Sequence, residues 1–211
     1  MSDTFNMMVA GLTGQGDVLI TRVLATALLA DGKNVLTTDY PPSTQRLSGI
    51  HSHIRWGGDA LHADVVPEGE ADLLVGLEPL ECLRIGMRYA AKTCTIVMNE
   101  REVPRMIVTP EVRASGQWRH PSGSDITDYF RRMGIGNIYS FDATGVAIEK
   151  GGGLITMSMV MLGAAFATGL IPLKMEAVES CIIAFAPKKW TDANVNSFRA
   201  GVEKFRELVH T

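Results

Sequence analysis

The sequence predicts a single α/β domain spanning residues 1–211, with a helical layer on each side of a mixed, mostly parallel sheet. Short apolar runs alternate with segments of helical periodicity through the first half of the chain. The run at residues 71–79 is apolar almost throughout, which is typical of a strand buried on both faces. The end of the chain is helical in pattern. We therefore expect a three-layer fold with a Rossmann-like start and a helical C-terminus.

A β–α–β unit is predicted to open the chain. It consists of a strand at Asn6–Ala10, a helix at Gln15–Asp31 and a strand at Asn34–Asp39. Apolar residues recur every four positions in the helix, and Gly32 follows it, as glycine often follows a helix C-terminus. The connection between the two strands is expected to be a right-handed crossover.

An antiparallel hairpin is predicted after this unit. Residues 51–57 alternate in polarity, and Gly57, Gly58 and Asp59 turn the chain into a second extended run at residues 61–66. Pro79 is then expected to start a helix, because proline suits the first helical turn. The run at residues 94–100 is predicted to be another buried strand, and no regular pattern follows between residues 104 and 123.

The remaining segments are predicted to be helical, apart from one strand. In order, they are a helix from Ser122 or Ser124 to Met133, a strand at Asn137–Ala143, and helices at Leu154–Thr168, Met175–Phe185 and Asp192–Val209. The apolar helix that starts at Leu154 is shorter than the roughly 20 residues that a membrane span needs. It is therefore expected to be a buried central helix, and no membrane contact is predicted.

The composition restricts the classes of function. The formal net charge is −3, so no basic field indicates binding to nucleic acid. The three cysteines, Cys82, Cys94 and Cys181, are far apart and form no Cys-x-x-Cys pair, which argues against an iron–sulfur cluster or a structural zinc in this chain. Free thiols, and a first segment without the basic and apolar regions of a secretory signal, predict a cytoplasmic location.

Three glycines follow the first predicted strand in the pattern Gly11-x-x-Gly14-x-Gly16. This order is the inverse of the dinucleotide motif Gly-x-Gly-x-x-Gly, although Asp39 stands near the place of a ribose-binding carboxylate. The Gly-Lys-Ser/Thr ending of a P-loop is missing. Two interpretations remain open: the glycines permit a tight turn, or the loop binds an anion at the helix N-terminus.

The residues from Gly11 to Gly16 resemble the Gly-x-Gly-Gly-Gln-Gly start of the gamma-type domain of 2-oxoacid:acceptor oxidoreductases. The pair Gln45-Arg46 and the block at residues 52–57 are similar to the Gln-Arg-Gly-Gly-Ser…Ser-His-Val-Arg-Phe-Gly segment of that family. Four further segments are similar to the beta subunits of its indolepyruvate:ferredoxin branch: residues 71–84, 95–104, 160–169 and 187–203. The similarity therefore runs in order along nearly the whole chain.

The resemblance implies the small subunit of an enzyme that decarboxylates an arylpyruvate-type 2-oxoacid oxidatively to an acyl-CoA and reduces ferredoxin. It places thiamine diphosphate, magnesium and iron–sulfur clusters in a large partner subunit, with no cofactor bound by this chain alone and CoA at most at the interface. Thr13 and Leu47 stand where that family has glycine, which leaves the use of CoA open. Two alternatives remain: a stand-alone module that binds CoA or a nucleotide, and a dinucleotide-dependent oxidoreductase.

No catalytic residue is assigned to this chain. The residues expected to form a ligand or partner loop near the active site are Gly11, Gly14, Gln15, Gly16, Gln45, Arg46 and Ser48. Further candidates are Glu78 at the end of a buried strand, Arg55, and the cationic pair Lys188 and Lys189. His51 and His53 share a strand face without a third ligand nearby in sequence, so we expect a hydrogen-bonded structural pair and no metal.

Overall fold

The computed structural model describes residues 4–40, 48–58, 61–103, 114–116 and 120–210. Its six strands are β1 Thr4–Leu12, β2 Asn34–Tyr40, β3 Gly49–Gly57, β4 Ala71–Gly76, β5 Ala90–Asn99 and β6 Asn137–Phe141. They form one sheet in the order β2-β3-β1-β4-β5-β6. β1, β4, β5 and β6 run parallel, whereas β3 is antiparallel to both of its neighbours. The predicted mixed, mostly parallel sheet is confirmed.

Helices pack on both faces of this sheet. They are α1 Asp17–Ala30, α2 Pro79–Tyr89, α3 Gly123–Arg132, α4 Ala143–Gly151, α5 Met157–Ala167, α6 Met175–Phe185 and α7 Thr191–Val209. One hydrophobic core joins a sheet face to α1 and α4–α7, with Leu24, Val160 and Phe198 fully buried in it. A second core joins the other face to α2 and α3 around Leu74 and Phe130. The three-layer prediction is confirmed.

Local sequence signals explain where several of these helices begin. Pro79 occupies the first turn of α2, and the Glu78 side chain accepts a hydrogen bond from a backbone N–H of that turn. α3 begins after Ser122, whose side chain forms a reciprocal capping box with Asp125. The first of the two predicted caps, Ser122, is therefore the one used.

The predicted buried helix forms α5 and is preceded by a short 3-10 turn at Leu154–Thr156. Its close neighbour is α7, because a Cβ atom at Gly163 would lie 2.0 Å from the Phe198 carbonyl oxygen. A Cβ at Gly201 would likewise lie 2.0 Å from the Val160 carbonyl oxygen. Two glycines thus let the backbones of α5 and α7 meet, and the helix is buried on nearly every side.

The apolar helices α4 and α5 are each shorter than a membrane span. Among the described residues, no single helix is long and apolar enough to cross a membrane. One pair, Ala143–Gly151 with Leu154–Ala167, reaches that length and composition only when joined across a 115° bend.

The predicted hairpin at residues 51–66 is wrong. Residues 61–66 form no strand, because β1 and β2 already occupy both sides of β3. Side chains of β3 hold this segment instead: Arg55 Nη1 donates to the carbonyl oxygens of Ala63 and Val65, at 2.6 and 3.2 Å. The same insertion of β3 means that β1 and β2 run in the same direction but are not neighbours, unlike the strands of a simple β–α–β unit.

Two other expectations differ from the structure. α1 starts at Asp17 and not at Gln15, because Gln15 is held in the preceding turn by hydrogen bonds to Leu12. Helix α4 was not predicted from the sequence, since it is short and contains glycine at positions 145 and 151. Asp142, which we expected in the strand, instead caps α4 by accepting from the Gly145 N–H.

Candidate functional site

The loop from Thr13 to Gly16 leaves the carboxyl end of β1 and enters α1. Gln15 closes it from within: its Oε1 accepts from the Leu12 N–H at 2.7 Å, and its own N–H donates to the Leu12 oxygen at 3.0 Å. Gly14 and Gly16 have φ angles of 93° and 95°, a region that favours glycine. We call residues 13–16 the glycine loop.

The three predicted glycines have different surroundings. A Cβ at Gly11 would lie 2.9 Å from the Cβ of Leu77, and a Cβ at Gly16 would lie 2.4 Å from Ser158 Oγ. A Cβ at Gly14 would meet no atom of the described residues within 4 Å. Gly11 and Gly16 therefore allow Leu77, which follows β4, and α5 to approach closely, whereas Gly14 faces space that is open among the described residues.

That open space belongs to a cavity of about 480 Å³, a size typical of small-molecule sites. Its described lining residues come from the glycine loop, the segment after β5, α4 and the turn into α5: Thr13, Gly14, Gln15, Arg101, Val103, Thr144, Leu154, Ile155 and Met157. Leu154 and Ile155 are 56% and 57% exposed, which is unusual for large aliphatic side chains. Arg101 adds a cationic group, so the cavity suits a ligand with an anionic group and an apolar part.

A buried amide joins the elements beside the cavity, one of which contributes Thr144 to its lining. Asn99 Nδ2 donates to the Leu77 carbonyl oxygen and to Thr144 Oγ1, both at 3.1 Å. Asn99 ends β5, Leu77 follows β4 and Thr144 lies in the first turn of α4. These contacts join three elements at the carboxyl ends of the parallel strands, where ligands usually bind in α/β folds. We call this end of the sheet its carboxyl edge.

The glycine loop also contacts the chain that leads into β3. The Thr13 N–H and the Thr13 hydroxyl both donate to the Ser48 carbonyl oxygen, at 3.0 and 3.2 Å. The predicted residues Gly11, Gln15 and Ser48 are thus brought to one edge of the sheet. Gln45 and Arg46, which were predicted with them, lie outside the described residues, as does Leu47.

Glu78 lies at this same edge and is fully buried. Its Oε2 accepts from the Glu81 N–H at 2.8 Å, so Glu78 caps the N-terminus of α2. Its Oε1 also lies 3.2 Å from His120 Nε2. No local pattern in the sequence indicates a role for His120, because the segment around it has no periodicity.

The other cationic candidates do not line the cavity. Arg55 Nε donates to Asn6 Oδ1 at 2.8 Å, near the start of β1 and at the opposite edge of the sheet from the glycine loop. Lys188 and Lys189 form a 3-10 turn before α7, and Lys189 Nζ lies 5.4 Å from the centre of the Trp190 ring.

The two histidines of β3 lie in a cluster of aromatic rings. The fully buried His53 accepts from the Val66 N–H at Nδ1, and its ring meets those of Tyr40, His51 and Tyr89 at 5.1 to 5.4 Å. Burial lowers the pKa of both His51 and His53 to about 4, and nearby positive charge adds to the effect. Both are therefore neutral near pH 7. Among the described residues, no group of three or more His, Cys, Asp or Glu side chains could hold a metal.

An acidic side chain lies directly behind the glycine loop. Asp17, the first residue of α1, is only 3% exposed. Burial raises the pKa of Asp17 to about 6, and repulsion from Asp39 at the end of β2 contributes. The two carboxylates leave this side of the loop acidic, which does not favour an anion there.

Comparison with known proteins gives consistent results. The family described as "Pyruvate ferredoxin/flavodoxin oxidoreductase" matches residues 6–204. "Indolepyruvate oxidoreductase subunit IorB" of Pyrococcus horikoshii is 31% identical over 206 residues, which cover 98% of each chain. The protein of the same name from Thermococcus kodakarensis is 29% identical over 97% of this chain and 98% of its own.

Two solved structures share the fold. The pyruvate oxidoreductase subunit PORC of Thermotoga maritima has a TM-score of 0.68 at 21% identity, over 96% of this chain and 97% of its own. The 2-oxoglutarate:ferredoxin oxidoreductase of Magnetococcus marinus, solved with 2-oxoglutarate, coenzyme A and succinyl-CoA bound, has a TM-score of 0.67 at 15% identity. The match covers 99% of this chain but only 32% of that longer one.

Proposed function

Because the chain belongs to the pyruvate ferredoxin/flavodoxin oxidoreductase family, we propose that it is the small subunit of a 2-oxoacid:ferredoxin oxidoreductase of the indolepyruvate type. The proposal on the substrate is supported by the two relatives named for indolepyruvate, which match this chain nearly from end to end. The reaction is the oxidative decarboxylation of an arylpyruvate to an acyl-CoA, with ferredoxin as electron acceptor. The complex is expected in the cytoplasm.

We assign the redox cofactors to a large partner subunit. An iron–sulfur cluster commonly needs four thiolates, whereas Cys82 and Cys94 are buried on the α2 side of the sheet and Cys181 lies in α6. Burial also raises the pKa of Cys82 and Cys94, which keeps these thiols protonated. Thiamine diphosphate with magnesium, bound in the partner, would supply the decarboxylation chemistry.

The cavity beside the glycine loop is the main support for the role that we propose for this chain. Its open side combines Arg101 with the exposed apolar side chains Leu154 and Ile155. Gly14 has no side chain, and no described atom lies within 4 Å of where its Cβ would stand, so a ligand could reach the backbone of the loop there. We propose that this chain binds the anionic and apolar portions of CoA, or of the acyl group it carries, while the partner performs the chemistry.

The loop before β3 is proposed to contact the large subunit. Ser48 anchors its end beside the cavity, and the chain just before it carries Gln45 and Arg46. An arginine offers a planar pair of donors to a carboxylate or phosphate. This loop would therefore meet the partner, or its ligand, at the carboxyl edge of the sheet.

Anaerobic co-purification from the native cell tests the proposal. A large chain with bound thiamine diphosphate and iron should accompany this subunit, and the complex should reduce a viologen with indolepyruvate or phenylpyruvate in preference to pyruvate. The subunit alone should hold no stoichiometric iron and show no turnover. Iron or turnover in the isolated subunit would contradict the assignment of the cofactors to a partner.

A matched pair of variants tests the cavity. Leu154→Ser should weaken CoA saturation of the complex, whereas Ile183→Ser changes an equally exposed aliphatic residue on α6, outside the cavity, and should not. Tight binding of CoA or a nucleotide by the isolated chain, with no large partner recovered, would favour the alternative of a stand-alone binding module.

A further inference from the structure

The base of the loop before β3 is held from two sides. On one side, the Ser48 carbonyl oxygen accepts both the amide and the hydroxyl of Thr13. On the other side, a Cβ at Gly49 would lie only 2.3 Å from Glu81 Oε2, so the carboxylate of Glu81 rests against the backbone of Gly49. Ser48 and Gly49 are thus gripped between the glycine loop and the first turn of α2.

The Glu81 side of this grip is fixed in place. Glu81 is fully buried, and its Oε2 accepts from Arg84 Nε and Nη2 at 2.7 and 2.6 Å. Its backbone N–H donates to Glu78 Oε2. A buried carboxylate with this many charge-assisted contacts has little freedom to move. Of the two contacts, the one between Thr13 and the Ser48 carbonyl oxygen is therefore the one that can change more easily.

Thr13 also lines the cavity, in addition to its contact with Ser48. One residue thus contacts both the space proposed for the ligand and the chain that leads to Arg46. A carbonyl oxygen has two lone pairs, and on the Ser48 oxygen the amide and the hydroxyl of Thr13 can occupy both. The hydroxyl is half of this contact, and a side chain without a donor cannot replace it.

We propose that Thr13 is a positioning residue whose hydroxyl locks Ser48, directly before β3, to the glycine loop, so that Ser48 and the glycine loop present one fixed surface to the large subunit. The statement about the large subunit rests on the proposed function. The lock itself is a property of this chain alone. The two can therefore be tested separately.

The variants for the test are Thr13→Val, which removes the hydroxyl but keeps the branched shape, and Thr13→Ser, which restores it. Thr127→Val is the matched control: that hydroxyl donates to the Gly123 carbonyl oxygen at 2.9 Å within α3, away from the loop. Circular dichroism and the melting temperature establish that each variant is folded. Each is then titrated into the large subunit while viologen reduction is followed.

Thr13→Val should raise the half-saturating concentration of this subunit about two- to tenfold, the usual range for one neutral hydrogen bond. Thr13→Ser and Thr127→Val should stay near the wild-type value. Hydrogen exchange of the free chain supplies a readout without the partner: the amide at position 13 should exchange several-fold faster in Thr13→Val and at the wild-type rate in Thr13→Ser.

Unchanged exchange in Thr13→Val would overturn the lock. Faster exchange with unchanged affinity for the large subunit would overturn its positioning role. If the wild-type chain bound no large subunit at all, the proposed function would fail, and the exchange measurement would still decide whether the Thr13 hydroxyl locks Ser48 to the glycine loop.

Discussion

Replacing Gly16 with alanine should cost far more stability than the same change at Gly14. Both residues have nearly the same positive φ, so either alanine would lose roughly 1–2 kcal/mol to a left-handed backbone. Among the described residues, only the alanine at position 16 would meet another side chain, since its Cβ would lie 2.4 Å from Ser158 Oγ. Overpacking of that kind typically adds about 1–3 kcal/mol.

The expected losses are therefore about 1–2 kcal/mol for Gly14→Ala and about 2–5 kcal/mol for Gly16→Ala. For a domain of this size, the melting temperature falls by roughly 2–4 °C per kcal/mol. Urea denaturation of the isolated subunit, with an unchanged m-value, gives the free energy of unfolding directly.

Combining each glycine variant with Ser158→Ala measures the contribution of the contact between positions 16 and 158. Ser158→Ala removes the oxygen at 2.4 Å and leaves the Cβ at 2.9 Å, so it should recover part of the Gly16→Ala loss and none of the Gly14→Ala loss. Equal losses in the two single variants, or no coupling between positions 16 and 158, would refute the different roles given to the two glycines.

Three further outcomes are expected. Burial raises the pKa of Asp17 from 3.8 to about 6, so the folded state loses stability as the pH rises from 3.8 through about 6. In urea denaturation, Asp17→Asn should therefore have a free energy of unfolding about 2–3 kcal/mol above that of the wild type at pH 8 and close to it at pH 4. Burial lowers the pKa of His53 from 6.5 to about 4, so the folded state loses stability as the pH falls from 6.5 towards 4. In His53→Gln, the urea concentration at the unfolding midpoint should change less with pH over this range than in the wild type. Arg46→Ala should lower the activity or subunit affinity of the reconstituted complex about ten- to hundredfold without changing the melting temperature of the free chain, with Arg46→Lys recovering only part.

Elements that depend on neighbouring residues could be predicted from the sequence. The helix Met175–Phe185 has the predicted bounds, and the cap at Ser122 begins α3 as one of two predicted candidates. Residues 71–76 form the doubly buried strand β4 that their apolar run indicated. In each case the signal lies within the segment itself.

Features that depend on distant partners could not be predicted. The alternation of residues 51–57 marks a strand but does not say that β1 and β2 flank it, and for this reason the hairpin was wrong. The positive φ of Gly14 agrees with the expected turn. The close contact between Gly16 and Ser158 depends on the packing of α5 against the loop, which no pattern near Gly16 indicates.

The candidate site shows the same division. Its glycine loop carries a motif, so the sequence located that part. Arg101, Thr144 and Leu154 come from three separate segments and meet only in the folded chain. No local pattern marks any of them as belonging to the cavity.

The position of β3 inside the sheet also determines when the site can form as the chain is made. β1 pairs with residues 49–57 on one side and with residues 73–76 on the other, so its hydrogen-bonding edges stay open until these have left the ribosome. Contacts this distant in sequence slow folding, and an unpaired apolar strand is prone to aggregate meanwhile. Until residues 73–76 have left the ribosome, the nascent chain is therefore expected to need a chaperone. The glycine loop is translated earlier, but Thr13 can contact Ser48 only after residue 48 has also left the ribosome.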